Sequence, residues 1–292
     1  MVPAPNSTAP RLPSAHPPPG WQGFLHLHFS QRAGATYLRQ ERLQAPLKIQ
    51  RPFFPEGAAV CHCVALHTAG GIVGGDRLTQ SLTLDAQTQV LLTTAAATKI
   101  YASEARTAHQ AVQITIGPDA CLEWLPQETI AFQGAHYRQT VRVDLAPGGR
   151  WLGWELTRLG RSARGETFVA GDWRSSTEVW QGEVPLWVDR QWLPGNATVC
   201  HSPNGLAGQP VVGTLAFVGQ AVDQALLDQI RPLAAQLQIQ GDTGFSPLPQ
   251  GLCCRYRGPA ITTAKRWFVA IWQLLRPWYL GRSAIVPRVW PE

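Results

Sequence analysis

The feature that most constrains this chain is a recurrence of short strand-like runs between Trp21 and about Val218. "FLHLHF", "TQVLLTT", "AVQITI", "QTVRVDL" and "TLAFV" alternate polar with apolar residues or concentrate β-branched ones, the pattern of half-buried strands. Turn formers separate them at Gly117-Pro118-Asp119, Pro147-Gly148-Gly149, Pro194-Gly195-Asn196 and Pro203-Asn204-Gly205. Runs this short, interrupted this often, build a mainly β body: a sandwich, a barrel or a β-solenoid. No fixed repeat period marks the chain, so periodicity alone does not select the solenoid.

Two segments depart from the strand pattern. "VDQALLDQIRPLAAQLQI" repeats Val222, Leu226, Leu227, Ile230, Leu233 and Leu237 at helical spacing, which predicts a helix near 222–237, kinked or restarted at Pro232. "TTAKRWFVAIWQLLRPWYLGR" predicts a second helix near 263–275, capped by Thr263 and stopping before Pro277. Its apolar residues cover most of its circumference, so it is buried on all sides or covered in part by another protein.

With 45% hydrophobic residues, one large domain over 21–292 can bury a sizeable core. Residues 1–20 hold seven prolines and lack the basic start and apolar stretch of a signal peptide, so they are expected to form a disordered leader. The stretch from Trp267 to Leu280 is interrupted by Gln273, Arg276 and Pro277 and falls short of the ~20 residues that a membrane span needs. Six cysteines in a chain this long, without secretory features, point to free thiols and the cytoplasm. The net charge of +6 rests on arginine, since Lys48, Lys99 and Lys265 are the only lysines. These arginines form no run or module that tracks a phosphate backbone, which argues against nucleic acid and for acidic protein partners.

The glycine-rich "HTAGGIVGGDRL" fails as a phosphate loop: it lacks G-x-G-x-x-G spacing and a following GK[ST], and "LTQSLTL" continues as a strand. A tight connection between strands is the simpler reading, with Asp76 capping the turn or facing a cavity. In "CHC", alternation puts Cys61 and Cys63 on one face and His62 on the other, so they do not converge on one ion. His26 and His28 share a strand face and are read as packed or solvated. No G-x-S-x-G or ordered triad occurs, and the separations of Glu123 from Glu128 and of Glu155 from Glu166 cannot be set from sequence. Twelve tryptophans in a β-rich chain motivate a second reading, a carbohydrate-binding module, and a hidden hydrolase stands third.

"TAGGIVGGDRL", "LTTAAATKIY", "LEWLPQETIAFQGAHYRQ" and "WELTRLGRSARGETF" resemble, in order and spacing, the successive motifs of the urease accessory protein family UreD, also called UreH. "LLRPWYLGRSAIVPRVW" is similar to the family's ending, so the resemblance spans roughly 21–290. It implies a β-helix-like stack of strands with a small helical part of about two C-terminal helices. It also implies a non-enzymatic role in urease maturation, with UreF and the GTPase UreG acting on the urease apoprotein. No permanently bound cofactor is implied, only nickel in transit through an internal passage. On the family's motifs fall Gly70, Gly71, Gly74, Gly75 and Asp76, then Thr94, Lys99 and Tyr101, then Glu123, Pro126 and Gln127, then Trp154, Glu155, Gly160, Arg161 and Glu166. Asp76, Glu155, Glu166 and His67 are the candidate nickel contacts, because Ni²⁺ accepts carboxylate, imidazole and water.

The C-terminal aromatics suggest a docking surface, with UreF the partner that the resemblance implies. Trp267, Trp272, Trp278, Tyr279 and Trp290 are the candidate anchors. Arg282 is the candidate charged contact, with Arg276 and Arg288 spaced to engage a partner's carboxylates. Packing of the same tail on the chain's own β body is the competing expectation.

Overall fold

A computed structural model describes residues 20–290; the proline-rich leader falls outside them except for Gly20. The chain begins with β1 (Gln22–Arg32), β2 (Ala35–Gln44), β3 (Leu47–Ile49), β4 (Val60–His67), β5 (Arg77–Leu84) and β6 (Gln89–Thr94). It continues through β7 (Thr98–Ile100), β8 (Ala108–Ile116), β9 (Cys121–Leu125), β10 (Thr129–Ala131), β11 (His136–Leu145) and β12 (Arg150–Leu159). Next come β13 (Asp172–Gln181), β14 (Val184–Pro194), the short helix α1 (Ala197–His201) and β15 (Val211–Val218). The last elements are α2 (Gln224–Ile230), α3 (Leu233–Gln236), β16 (Asp242–Leu248), β17 (Gly251–Gly258) and α4 (Ile261–Leu280).

Two sheets form, ordered β14-β13-β11-β8-β5-β1-β2 and β16-β17-β15-β12-β9-β6-β4-β3. From β4 to β13 the chain alternates between them, while β5, β8, β11 and β13 pair in parallel within the first and β4, β6, β9 and β12 within the second. This winding is a β-solenoid-like stack of about four turns. The expected turn clusters are its corners: Gln87, Asp119 and Gly148 each take a positive φ (61°, 55° and 76°) at successive levels. Backbone bonds tie the levels together, Gly117 N to Leu84 O at 2.8 Å and Ala146 N to Ile116 O at 2.8 Å.

Alternation fills the space between the sheets with one face of each, including Leu25, Phe29, Leu82, Ile114, Leu122 and Trp173. A second core lies between the outer face of β9, β12, β15 and β17 and the helices, where Leu215 and Phe217 meet Trp267, Phe268, Ile271 and Trp272. Pro232 separates α2 from α3, as expected. The C-terminal helix is longer than the expected 263–275: it starts at Ile261 after an extended Ala260 and runs through Pro277. Pro277 leaves the carbonyl of Gln273 without its helical donor, but both residues are exposed, so that carbonyl is open to solvent. All six cysteines are free and buried. Cys61 and Cys63 lie side by side with sulfurs 3.8 Å apart, while His62 points away to Glu56 at 2.6 Å. No helix among the described residues is long and apolar enough to cross a membrane.

Candidate functional site

The glycine loop is a connection built from close approaches. Ile72 N donates to Lys99 O at 2.8 Å and Tyr101 N to Ile72 O at 2.9 Å, lacing the loop to β7. A side chain at Gly71 would come within 2.5 Å of the Tyr101 ring and 2.6 Å of Lys99 O, and Gly75 has φ +98°. Asp76, 4% exposed, caps the turn: one carboxylate oxygen accepts from Val73 N at 3.0 Å and the other from Trp21 N at 2.9 Å. Asp76→Ala strands both donors, so we expect a loss of about 1–3 kcal/mol of stability, read as a lowered denaturation midpoint.

Between the two sheets lies a cavity of about 80 Å³, enough for several water molecules. The first sheet contributes Gln80, Gln110, Gln139 and Thr177 to its wall; Glu155 and Thr214 enter from the second, and Asp189 from β14. His67, Thr94, Thr98 and Gln127 continue the polar lining past the ends of β4 and β6. The cavity thus brings together two of the four expected nickel contacts, Glu155 and His67, and adds Asp189, which the sequence reading missed.

Glu155 is the chemically distinctive group. Burial lifts its carboxyl to about 7, and Asp189 pushes the same way, against hydrogen bonds from Ser175 and Thr157. The Ser175 hydroxyl donates to one of its oxygens at 2.6 Å and the Thr157 hydroxyl to the other at 3.4 Å. It therefore exchanges its proton near neutral pH. Asp189 is held differently, by both terminal nitrogens of Arg255 at 2.7 and 3.1 Å and by Gln191 at 2.9 Å.

Asp76 and Glu166 do not line this cavity. Glu166 closes the "GRSARGE" corner instead: its carboxylate takes the Arg161 guanidinium in two bonds, which holds it down to about 2. Arg161 also stacks over the Phe132 ring at 4.3 Å. Among the described residues no group of three or more His, Cys, Asp or Glu side chains is placed to hold a metal ion.

The C-terminal aromatics lie elsewhere than a docking surface requires. Trp267, Trp272, Tyr279 and Trp290 are buried in the second core, which leaves only Trp278, partly exposed, and Arg282, exposed, with surface to offer. The physical reason is a buried polar network that clamps α4 to the β body. Arg276, fully buried, forks onto Glu56 with two bonds of 2.7 Å and directs Nε to Glu123 at 2.9 Å. Glu123 also accepts from Trp272 Nε1 at 2.6 Å and from the Tyr279 hydroxyl. Burial pushes Glu56 up, but its bonds from His62 and Arg276 outweigh that and hold it ionised below the usual range. The carboxylates that Arg276 engages belong to this chain, not to a partner.

Eight of the twelve tryptophans are buried, so most of the aromatic count that motivated the sugar-platform reading fills the core. The family described as "UreD urease accessory protein" matches residues 22–291. The urease accessory protein UreD of Nostoc punctiforme is 55% identical over 271 residues, covering 93% of this chain and 96% of that one. That of Thermosynechococcus vestitus is 50% identical over 274 residues, 94% and 99% of the two chains. The UreD of an Azoarcus species is 40% identical over 272 residues, 93% and 94%. A motif series carried through four turns of one winding, matched by relatives along nearly its whole length, means that this chain belongs to the UreD family of urease accessory proteins.

Proposed function

We propose that this chain is a non-enzymatic scaffold of urease maturation that works in the cytoplasm with UreF and the GTPase UreG and conducts nickel toward the urease apoprotein. The observation that carries this reading is the polar cavity inside the solenoid, with Glu155, Asp189 and His67 on its walls. Oxygen and imidazole donors suit Ni²⁺, and donors spread along a cavity hold it weakly enough to let it go. Glu155 supports transfer through its pKa of about 7, since it can give up a proton as the cation arrives and take one back as it leaves. Its protonated form also spares the cavity wall an uncompensated buried charge. Nickel here is cargo, and hydrolysis of the nucleotide belongs to the GTPase.

Copurification from a urease-producing host tests the assembly. Tagged full-length chain should bring down UreF, UreG and urease subunits. Recovery of none of them, or of bound glycan in their place, overturns this reading.

A further inference from the structure

The arginines that look scattered in sequence are brought into line by the fold. Strand register places Arg77 beside His109, His109 beside Arg138, Arg138 beside Arg174, and Arg174 beside Trp192 of β14. These side chains stand on the outer face of the first sheet, which α2, α3 and α4 do not cover because they pack on the second. The row ends at β14 in an exposed aromatic, Trp192, which is 60% exposed, and at β1 in Gln22, which register places beside Arg77. Arg174 is tied to Asp172 at 2.8 Å and stacks over Trp192 at 4.5 Å. Neither Arg77 nor Arg138 has an ion-pair partner among the described residues. Two uncompensated cations therefore flank His109, and burial together with Arg77 and Arg138 keeps its pKa below the ordinary histidine value.

We infer that this row is a docking surface for the acidic face of a helix in a partner protein of the maturation assembly, an inference that rests on the function proposed above. The spacing fits. Neighbouring strands stand about 4.8 Å apart and a helix rises about 5.4 Å per turn, so over the three steps from Arg77 to Arg174 the two drift by only about 2 Å. Carboxylates two turns apart on one helix face then meet Arg77 and Arg138, one between them faces His109, and Arg174, already paired with Asp172, closes the row beside the exposed Trp192. A nucleic acid fits less well. At the next rung Thr79, Ala111, Thr140 and Ser176 carry no charge and Arg190 of β14 is already paired with Glu178 at 2.8 Å, so no second row of free cations follows the first for a phosphate backbone to track.

His109 is a built-in reporter, since an anion laid on the row raises its pKa. The probe is a stapled alanine-based helical peptide with glutamate on four successive turns of one face, titrated into the full chain while the His109 ring is followed by NMR. Saturable, salt-sensitive binding should raise the His109 pKa by about one unit, and Arg77→Glu/Arg138→Glu should weaken binding at least about tenfold. Equal binding to that double variant overturns the inference, as does equal binding of a glutamine version of the peptide or tighter binding of a single-stranded oligonucleotide. The peptide requires no urease, so this result stands or falls separately from the copurification test.

Discussion

Glu155→Gln is expected to lower urease activation at least about tenfold while making the protein more stable at neutral and alkaline pH. The carboxyl ionises at about 7 in the folded chain against an ordinary 4.5, so between those pH values the folded state holds a proton that the unfolded chain has released. Stability contributed by this group is complete below about 4.5 and is lost as pH rises through about 7. The gap corresponds to roughly 3 kcal/mol at 1.36 kcal/mol per unit, an order of magnitude for a group buried this deeply. Glutamine carries no such penalty and keeps an oxygen that can accept from Ser175 or Thr157. Denaturation of both proteins from pH 4.5 to 8 should show the wild type losing stability relative to the variant across that window. A parallel pair of curves would mean that Glu155 is already ionised at low pH. Unchanged activation by Glu155→Gln and by Glu155→Ala would remove Glu155 from the proposed nickel passage.

Arg276→Met should be the most destabilising single substitution in the C-terminal half. It leaves Glu56 and Glu123, with side chains 4% and 1% exposed, without the cation that both face. Breaking a buried pair by removing one partner costs about 3–5 kcal/mol, or roughly 6–20 °C in melting temperature for a domain of this size. Adding Glu56→Gln and Glu123→Gln to Arg276→Met should recover part of that loss, because the stranded charges are then gone. Truncation after Leu275 removes Arg276, Tyr279 and Trp290 together and should abolish the cooperative melt. A truncated chain that melts like the full one would return the C-terminal tail to the role of a free partner anchor.

The contrast between these two sites shows which features the sequence can carry. The solenoid corners were readable at Gly117-Pro118-Asp119 and Pro147-Gly148-Gly149 because a positive φ demands particular residues, a local requirement. The winding was not readable, because Gly148 stacking on Asp119 depends on strands that alternate between sheets without a repeat in sequence. Proline as a helix stop misplaced the end of α4, since exposure at Gln273 and Pro277 leaves the freed carbonyl open to solvent. Counting aromatics at the C-terminus could not separate a core from an interface. The signal that separates them is Arg276 meeting Glu123 and Glu56, which lie 153 and 220 residues away in the chain. Likewise Glu155 and His67 could be named as candidates, but Asp189 became visible only when β14 brought it to the same cavity. Asp76 and Glu166 carried the same donor chemistry in sequence, yet their oxygens are taken by Val73 N, Trp21 N and the Arg161 guanidinium.

The nickel content of urease itself tests the central claim most directly. Urease is purified from a urease-producing host that lacks this chain and from the same host with it restored, at ordinary nickel supply, and metal per active site is measured by elemental analysis. The account predicts assembled, nickel-poor and inactive urease without the chain, with loading and activity returning when it is restored. Fully loaded, active urease in its absence would contradict the account.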